Sequence, residues 1–177
     1  MLIPILPMKT EDEHYILHCI ALSKKSVASG DAPFGAVIVK DGEIIGASEN
    51  NASQKISDHA EIMAMHQAHQ HLGVSNLQGA TLYSNCEPCP MCAFMAREYK
   101  LSRVVYAVPS PFMGGHNKWN IMEDQELQHF PPYFGAVPEV IGGVLEEEGR
   151  AVFIDFGMWM FGQGAIEEWK DRIGNKD

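Results

Sequence analysis

The sequence predicts an α/β fold, a three-layer α-β-α arrangement around a five-stranded mixed sheet. Three observations carry that expectation. Two apolar runs flank Asp41-Gly42, a dipeptide that favours the left-handed backbone of a tight hairpin turn. Strand-helix-strand alternation follows residue 79, and parallel neighbours need such crossovers. Helical periodicity before the hairpin, and again between it and residue 73, supplies elements to cover the sheet.

The elements follow in order. Residues 12–29 place Ile16, Cys19, Ile20 and Val27 at helical spacing, and Gly30 is a natural stop. Phe34–Lys40 and Glu43–Ser48 form the hairpin, and Asn50–Ser57 is a polar loop. A helix over 59–72 carries Ile62, Met65, His66 and His69 on one face. Ala80–Ser84 reads as a short strand, and a helix over 89–99 is entered through Pro88 and Pro90, since proline is tolerated in a first turn. Arg103–Val108 is a buried strand, Pro109–Asn120 a loop rich in glycine and proline, and Val137–Leu145 a last strand before a helix within 147–170. With no repeat, linker or low-complexity tract, residues 1–177 read as one domain.

Composition narrows the function classes. No apolar run approaches the roughly 20 residues that cross a bilayer. The apolar opening, Met1–Pro7, is short, holds two prolines and lacks a basic flank. It does not read as a signal peptide, and a cytoplasmic protein is expected. Lys and Arg number 13 against 23 Asp and Glu, a formal charge of −10. Nucleic-acid binders neutralise phosphates with basic faces, so this balance disfavours a polynucleotide partner and favours a small molecule. Of four cysteines, Cys86, Cys89 and Cys92 lie within seven residues. In a reducing compartment such clustering points to metal rather than disulfides.

Two segments carry the chemistry: His59-Ala60-Glu61 and Pro88-Cys89-Pro90-Met91-Cys92. Together they match the H-x-E…P-C-x-x-C pattern of zinc deaminases. Cys89 and Cys92, three apart at a helix start, can aim both sulfurs at one atom, and His59 supplies a third ligand from a second helix start. Three protein ligands leave a tetrahedral zinc one open position, as catalysis requires. Zinc lowers the pKa of a bound water toward about 7. Glu61, beside the metal rather than on it, would shuttle protons to the ring and to the departing amine. Blander explanations exist for each piece. Asp58-x-x-Glu61 also fits a capping box. Cys86 could close the site into a structural Cys3His zinc, and CxxC alone could be a redox pair. The conjunction of the two segments favours catalysis.

The chain resembles the cytidine deaminase-like superfamily over roughly residues 12–108, specifically its branch of guanine, cytosine and tRNA adenosine deaminases. Ala32–Val39, His59–Glu61 and Ser84–Cys92 carry the similarity, and the strings around Phe34 and Cys86–Cys92 look most like bacterial guanine deaminases. The resemblance implies that Asn50 binds the base, that the Ala60 N–H meets a substrate carbonyl, that Phe34 belongs to the substrate site, and that the protein is a homodimer. The loop after the fourth strand departs from the family pattern: residues 108–122 hold no carboxylate, and His116 and Trp119 are offered there instead.

The expectation is therefore a zinc enzyme, one Zn2+ per chain, that hydrolyses a free nucleobase or similar heterocycle and releases ammonia. Guanine stands first and cytosine next. The alternatives are adenosine-to-inosine deamination of tRNA and a non-catalytic zinc-stabilised binding module.

Overall fold

The computed structural model describes residues 10–162 and 164–173; the opening segment Met1–Pro7, on which the signal-peptide argument turned, lies outside them. The first helix, α1 (Glu11–Ala28), starts at a capping box. The Glu13 N–H donates to Thr10 Oγ1 at 3.2 Å, and the Thr10 N–H donates to Glu13 Oε2 at 2.7 Å. These bonds satisfy two of the donors that a helix start leaves open. β1 (Gly35–Lys40) and β2 (Glu43–Glu49) follow. Their turn residues Asp41 (φ 52°) and Gly42 (φ 80°) are both left-handed, the conformation the Asp-Gly pair favours. α2 (Ala60–Leu72) ends at Gly73, also left-handed. Then come β3 (Thr81–Cys86), α3 (Pro90–Glu98), β4 (Arg103–Val108), β5 (Glu139–Gly142), α4 (Glu146–Phe156) and α5 (Ala165–Ile173).

The strands form one sheet in the order β2-β1-β3-β4-β5. β1 pairs antiparallel with β2 and β3, while β3–β4 and β4–β5 are parallel. The sheet is thus mixed, as expected, with its parallel half formed by the later crossovers. Strand alternation builds two cores. Ala36, Ile38, Leu82 and Val104 face α2 and α3, whereas Val37, Val39, Tyr83 and Val105 face α1 and α4. That is the three-layer arrangement.

The C-terminal region differs from expectation. A single 3-10 turn, Leu127–His129, is the only helical segment between β4 and β5, and the C-terminal region holds two helices where one was expected. Gly157 ends α4 at φ 85°, and a 3-10 turn, Trp159–Phe161, separates α4 from α5. No helix among the described residues is long and apolar enough to cross a membrane.

Two features of the sheet prepare the site. Gly35 lies against the backbone of α1, so that a Cβ there would collide with the Cys19 carbonyl and with Ser23 N. Buried Asn85 then staples the preceding loop to β3: its Oδ1 accepts from Gly35 N at 2.8 Å and its Nδ2 donates to Pro33 O at 2.9 Å.

Candidate active site

Two helix starts meet beyond the carboxyl end of β3. His59 is the N-cap of α2 and Cys89 the N-cap of α3, both with extended backbone, and Pro90 occupies the first turn of α3. Extended N-cap geometry turns both side chains back over their own helix ends. Cys92 lies three residues on, fully buried. The three ligand atoms form a nearly equilateral triangle: Cys89 Sγ to His59 Nδ1 3.5 Å, Cys92 Sγ to His59 Nδ1 3.5 Å, and Sγ to Sγ 3.6 Å. Zn–S bonds of about 2.3 Å and Zn–N bonds of about 2.1 Å at tetrahedral angles require edges of about 3.6–3.8 Å. The residues therefore fit a zinc ion. They are the one group of three or more potential ligands that converges among the described residues. Without a cation two thiolates so close cannot both ionise. The hydrogen bond with Cys92 and the neighbouring His59 hold the Cys89 thiol down at about 4 against burial, while its partner Cys92 is pushed up. Both helix starts direct N–H groups at this charge.

Glu61, the second residue of α2, is 4% exposed. Its Oε2 lies 3.6 Å from Cys92 Sγ, and the Ser84 hydroxyl faces its Oε1 at 3.4 Å. It stands beside the ligand triangle, not within it. Burial foremost, then the Cys89 charge, pushes its carboxyl up to about 7. The capping-box alternative does not survive, because His59 rather than Asp58 is the N-cap and no side-chain bond caps the helix. Cys86 is not a ligand either. It belongs to the core on the α1/α4 side, and burial pushes its thiol well up.

A cavity of about 280 Å³ opens over the triangle, lined by Phe34, Asn50, His59, Glu61 and Cys89 among others. The structure thus brings Phe34 and Asn50 to the metal-binding group. Ala60 is buried outside the lining, although its N–H, at the first position of α2, has no acceptor within the helix. His116 and Trp119 do not line the cavity. His116 is held by the Tyr106 hydroxyl and Glu123, each at 3.0 Å, and Trp119 is 57% exposed beneath Lys118. Their loop contributes Ser110 and Met113 instead.

Four contributors named here were not expected from the sequence. Asp31 lines the cavity beside Asn50, and Met158 and Phe161 wall it from the C-terminal segment. Phe161 packs on Phe153 at 4.3 Å, which in turn packs on Phe34 at 5.4 Å. The fourth is Glu87, 3% exposed. Its carboxylate accepts from the N–H groups of Ser110, His116 and Asn117 and from the Asn117 side chain, at 2.7–3.0 Å. It ties the Pro109–Asn120 loop to the cysteine segment. A Cβ at Gly114 would collide with that carboxylate. Gly114→Ala is therefore expected to unseat part of this network and cost about 2 kcal/mol, a melting-temperature loss of roughly 4–8 °C, with zinc content unchanged. An unaltered melting curve would show that Glu87 is not holding the loop.

Comparison with known proteins places these features. The cytidine and deoxycytidylate deaminase zinc-binding region matches residues 9–108. A tRNA-specific adenosine deaminase of Bacillus subtilis (strain 168) is 37% identical over 142 residues, 78% of this chain and 84% of its own length. A solved structure from a study of A-to-I editing by tRNA:A34 deaminases at the wobble position of transfer RNA has a TM-score of 0.70 at 28% identity, covering 78% of this chain and 98% of that one. A guanine deaminase structure from Bacillus subtilis has a TM-score of 0.55 at 38% identity, over 58% of this chain and 66% of its own. The tRNA-specific relatives overturn two expectations: a free base as substrate, and the absence of a nucleic-acid partner. The first leaned on the strings around Phe34 and Cys86–Cys92, and both leaned on a net charge of −10. That figure sums the whole surface, whereas screening limits a phosphate to charges within about 10 Å.

Proposed function

The chain belongs to the cytidine and deoxycytidylate deaminase zinc-binding family, and from that premise we propose that it is a cytoplasmic hydrolase converting adenosine to inosine in tRNA. The similarity to tRNA-specific adenosine deaminases supports the substrate. The ligand triangle with Glu61 beside it, at the floor of one cavity, supports the chemistry. A zinc ion held by His59, Cys89 and Cys92 supplies an activated water at neutral pH.

The chain's own groups do the rest. Glu61 is close enough to the ligand set to take a proton on its carboxylate, yet is free of coordination, so it can pass that proton on. In adenosine the proton goes to a ring nitrogen and a second to the exocyclic amine. The water that gives up these two protons bonds through its oxygen to C6; the C6–N bond then breaks, ammonia leaves, and the oxygen stays as the carbonyl of inosine. Phe34, Met158 and Phe161 provide apolar walls against which a flat ring can lie, and Asn50 offers a polar contact. The cavity is small, so the target nucleotide has to leave its stack to enter, which is easiest from a single-stranded loop.

The test is direct. Zinc-loaded protein incubated at low salt with a tRNA anticodon stem-loop bearing a wobble adenosine is expected to yield inosine, read by nuclease digestion and mass spectrometry. Turnover at limiting RNA should fall as salt rises. Zinc-loaded protein that forms no inosine would overturn the proposal.

A further inference from the structure

We propose that Asp31 is a positioning residue: it fixes the Asn50 amide so that the carbonyl oxygen, turned away from Asp31, is available to accept from a substrate group that donates. The inference deepens the deaminase proposal and rests on it. Both residues are nearly buried, Asp31 at 8% and Asn50 at 5% exposure, and both line the cavity. Asp31 Oδ1 accepts from Asn50 Nδ2 at 2.7 Å and from the Ala32 N–H at 2.7 Å, and Oδ2 accepts from the Ser53 N–H at 2.9 Å. One carboxylate thus gathers the loop before β1, the end of β2 and the polar loop beyond it.

The chemistry of the pair removes an ambiguity. An ionised carboxylate can only accept hydrogen bonds. Burial pushes the Asp31 carboxyl up, but the bonds from Ser53, Ala32 and Asn50 outweigh it and hold it at about 2. The amide group facing it must then be NH2. The flipped amide would set two acceptors against each other at the same short distance, with no proton between them. The backbone leaves little slack, because the Asn50 N–H donates to Phe34 O at 3.0 Å and its carbonyl accepts from Ser26 Oγ at 3.4 Å. The orientation leaves the carbonyl oxygen Oδ1, which accepts no hydrogen bond from the described residues, as the group able to accept, beside the one Nδ2 hydrogen that Asp31 does not take. On a nucleoside the matching donors are the exocyclic amine and the sugar hydroxyls.

Two measurements test this. In 15N-labelled, zinc-loaded protein, the Asn50 side-chain NH2 signal, identified by its loss in Asn50→Ser, should exchange with solvent at least about tenfold more slowly than exposed amides. An Asn50 NH2 that exchanges like an exposed one overturns the proposal without any assay of activity. In kinetics on the stem-loop, Asp31→Asn should raise KM about tenfold. Its kcat should stay within about threefold, with zinc content unchanged. A purely structural Asp31 would instead lose activity in step with zinc or folded fraction, at constant KM, and that result also overturns the proposal. A 2′-deoxy target separates the donors. If the hydroxyl is read, it raises the wild-type KM and not the variant's; if the amine is read, it leaves the wild-type KM unchanged. Failure of wild-type protein to make inosine would sink the underlying function instead, and the amide signal would still decide the geometry at Asn50.

Discussion

Glu61→Gln is expected to cut inosine formation by at least about 10³-fold while the protein keeps its fold and its zinc. The substitution is informative because of where Glu61 sits. It caps nothing, since the N-cap of α2 is His59 and no side-chain bond closes that end. Glutamine has nearly the same shape. Its carbonyl can still accept from Ser84 Oγ, which faces Oε1 at 3.4 Å, and its NH2 can donate to Cys92 Sγ, 3.6 Å from Oε2. Removing a carboxyl that burial already pushes up to about 7 also removes a desolvation cost. The melting temperature should therefore stay within about 2–4 °C of wild type or rise. What glutamine cannot do is carry a proton. Positioned proton transfer contributes about 10²–10⁴-fold, and Glu61 serves more than one transfer per turnover. Single-turnover inosine formation, a thermal melt and zinc content from one preparation check all three claims. A folded, zinc-loaded Glu61→Gln that deaminates at near the wild-type rate would remove Glu61 from the mechanism.

The metal-binding group was legible in the sequence because its geometry is local. Two cysteines three apart at a proline-led helix start, and a histidine at another, converge once the sheet sets the two helix ends side by side. The hairpin was legible for the same reason, its Asp-Gly turn being specified by two adjacent residues. The cavity wall was not. Glu87 and Asp31 find donors about 20–30 residues away along the chain, and in sequence each is one more acid in an acidic protein. Met158 and Phe161 look like any core residues until the break at Gly157 turns them onto the site. His116 and Trp119 had the opposite fate: they sit in the expected loop, but Tyr106, Glu123 and solvent claim them. The capping box that Asp58-x-x-Glu61 also fits does not form, for a physical reason. With Asp58 as N-cap, His59 would take helical backbone, yet it holds ψ 147° to reach the cysteines. Net charge misled about the substrate because binding depends on local charge.

Cys89→Ser and Cys86→Ser should part company over zinc. Cys89 Sγ forms two edges of the ligand triangle, 3.5 Å to His59 and 3.6 Å to Cys92. A serine hydroxyl stays protonated at neutral pH and offers zinc far less than a thiolate, so Cys89→Ser leaves two good ligands. Loss of even an outer partner costs 10–100-fold in metal affinity; loss of a ligand should raise the zinc Kd by at least about 10²-fold, with activity following. Because the metal stabilises the state that binds it, the variant should also melt lower, as the wild type should after chelation. Cys86 lies in the same stretch but belongs to the α1/α4 core at 2% exposure and is absent from the ligand group. Serine there buries a hydroxyl in place of a thiol, at a cost of about 1–3 kcal/mol in stability, and leaves the triangle intact. Zinc stoichiometry near one per chain is thus expected for Cys86→Ser, and a Kd from competition with a chromophoric chelator should match wild type. The comparison decides the nature of the site as well as its membership. If Cys86→Ser sheds zinc as readily as Cys89→Ser, then Cys86 is a fourth ligand in solution and the metal has no open position. The site would then be structural, and the deaminase chemistry built on it would fall.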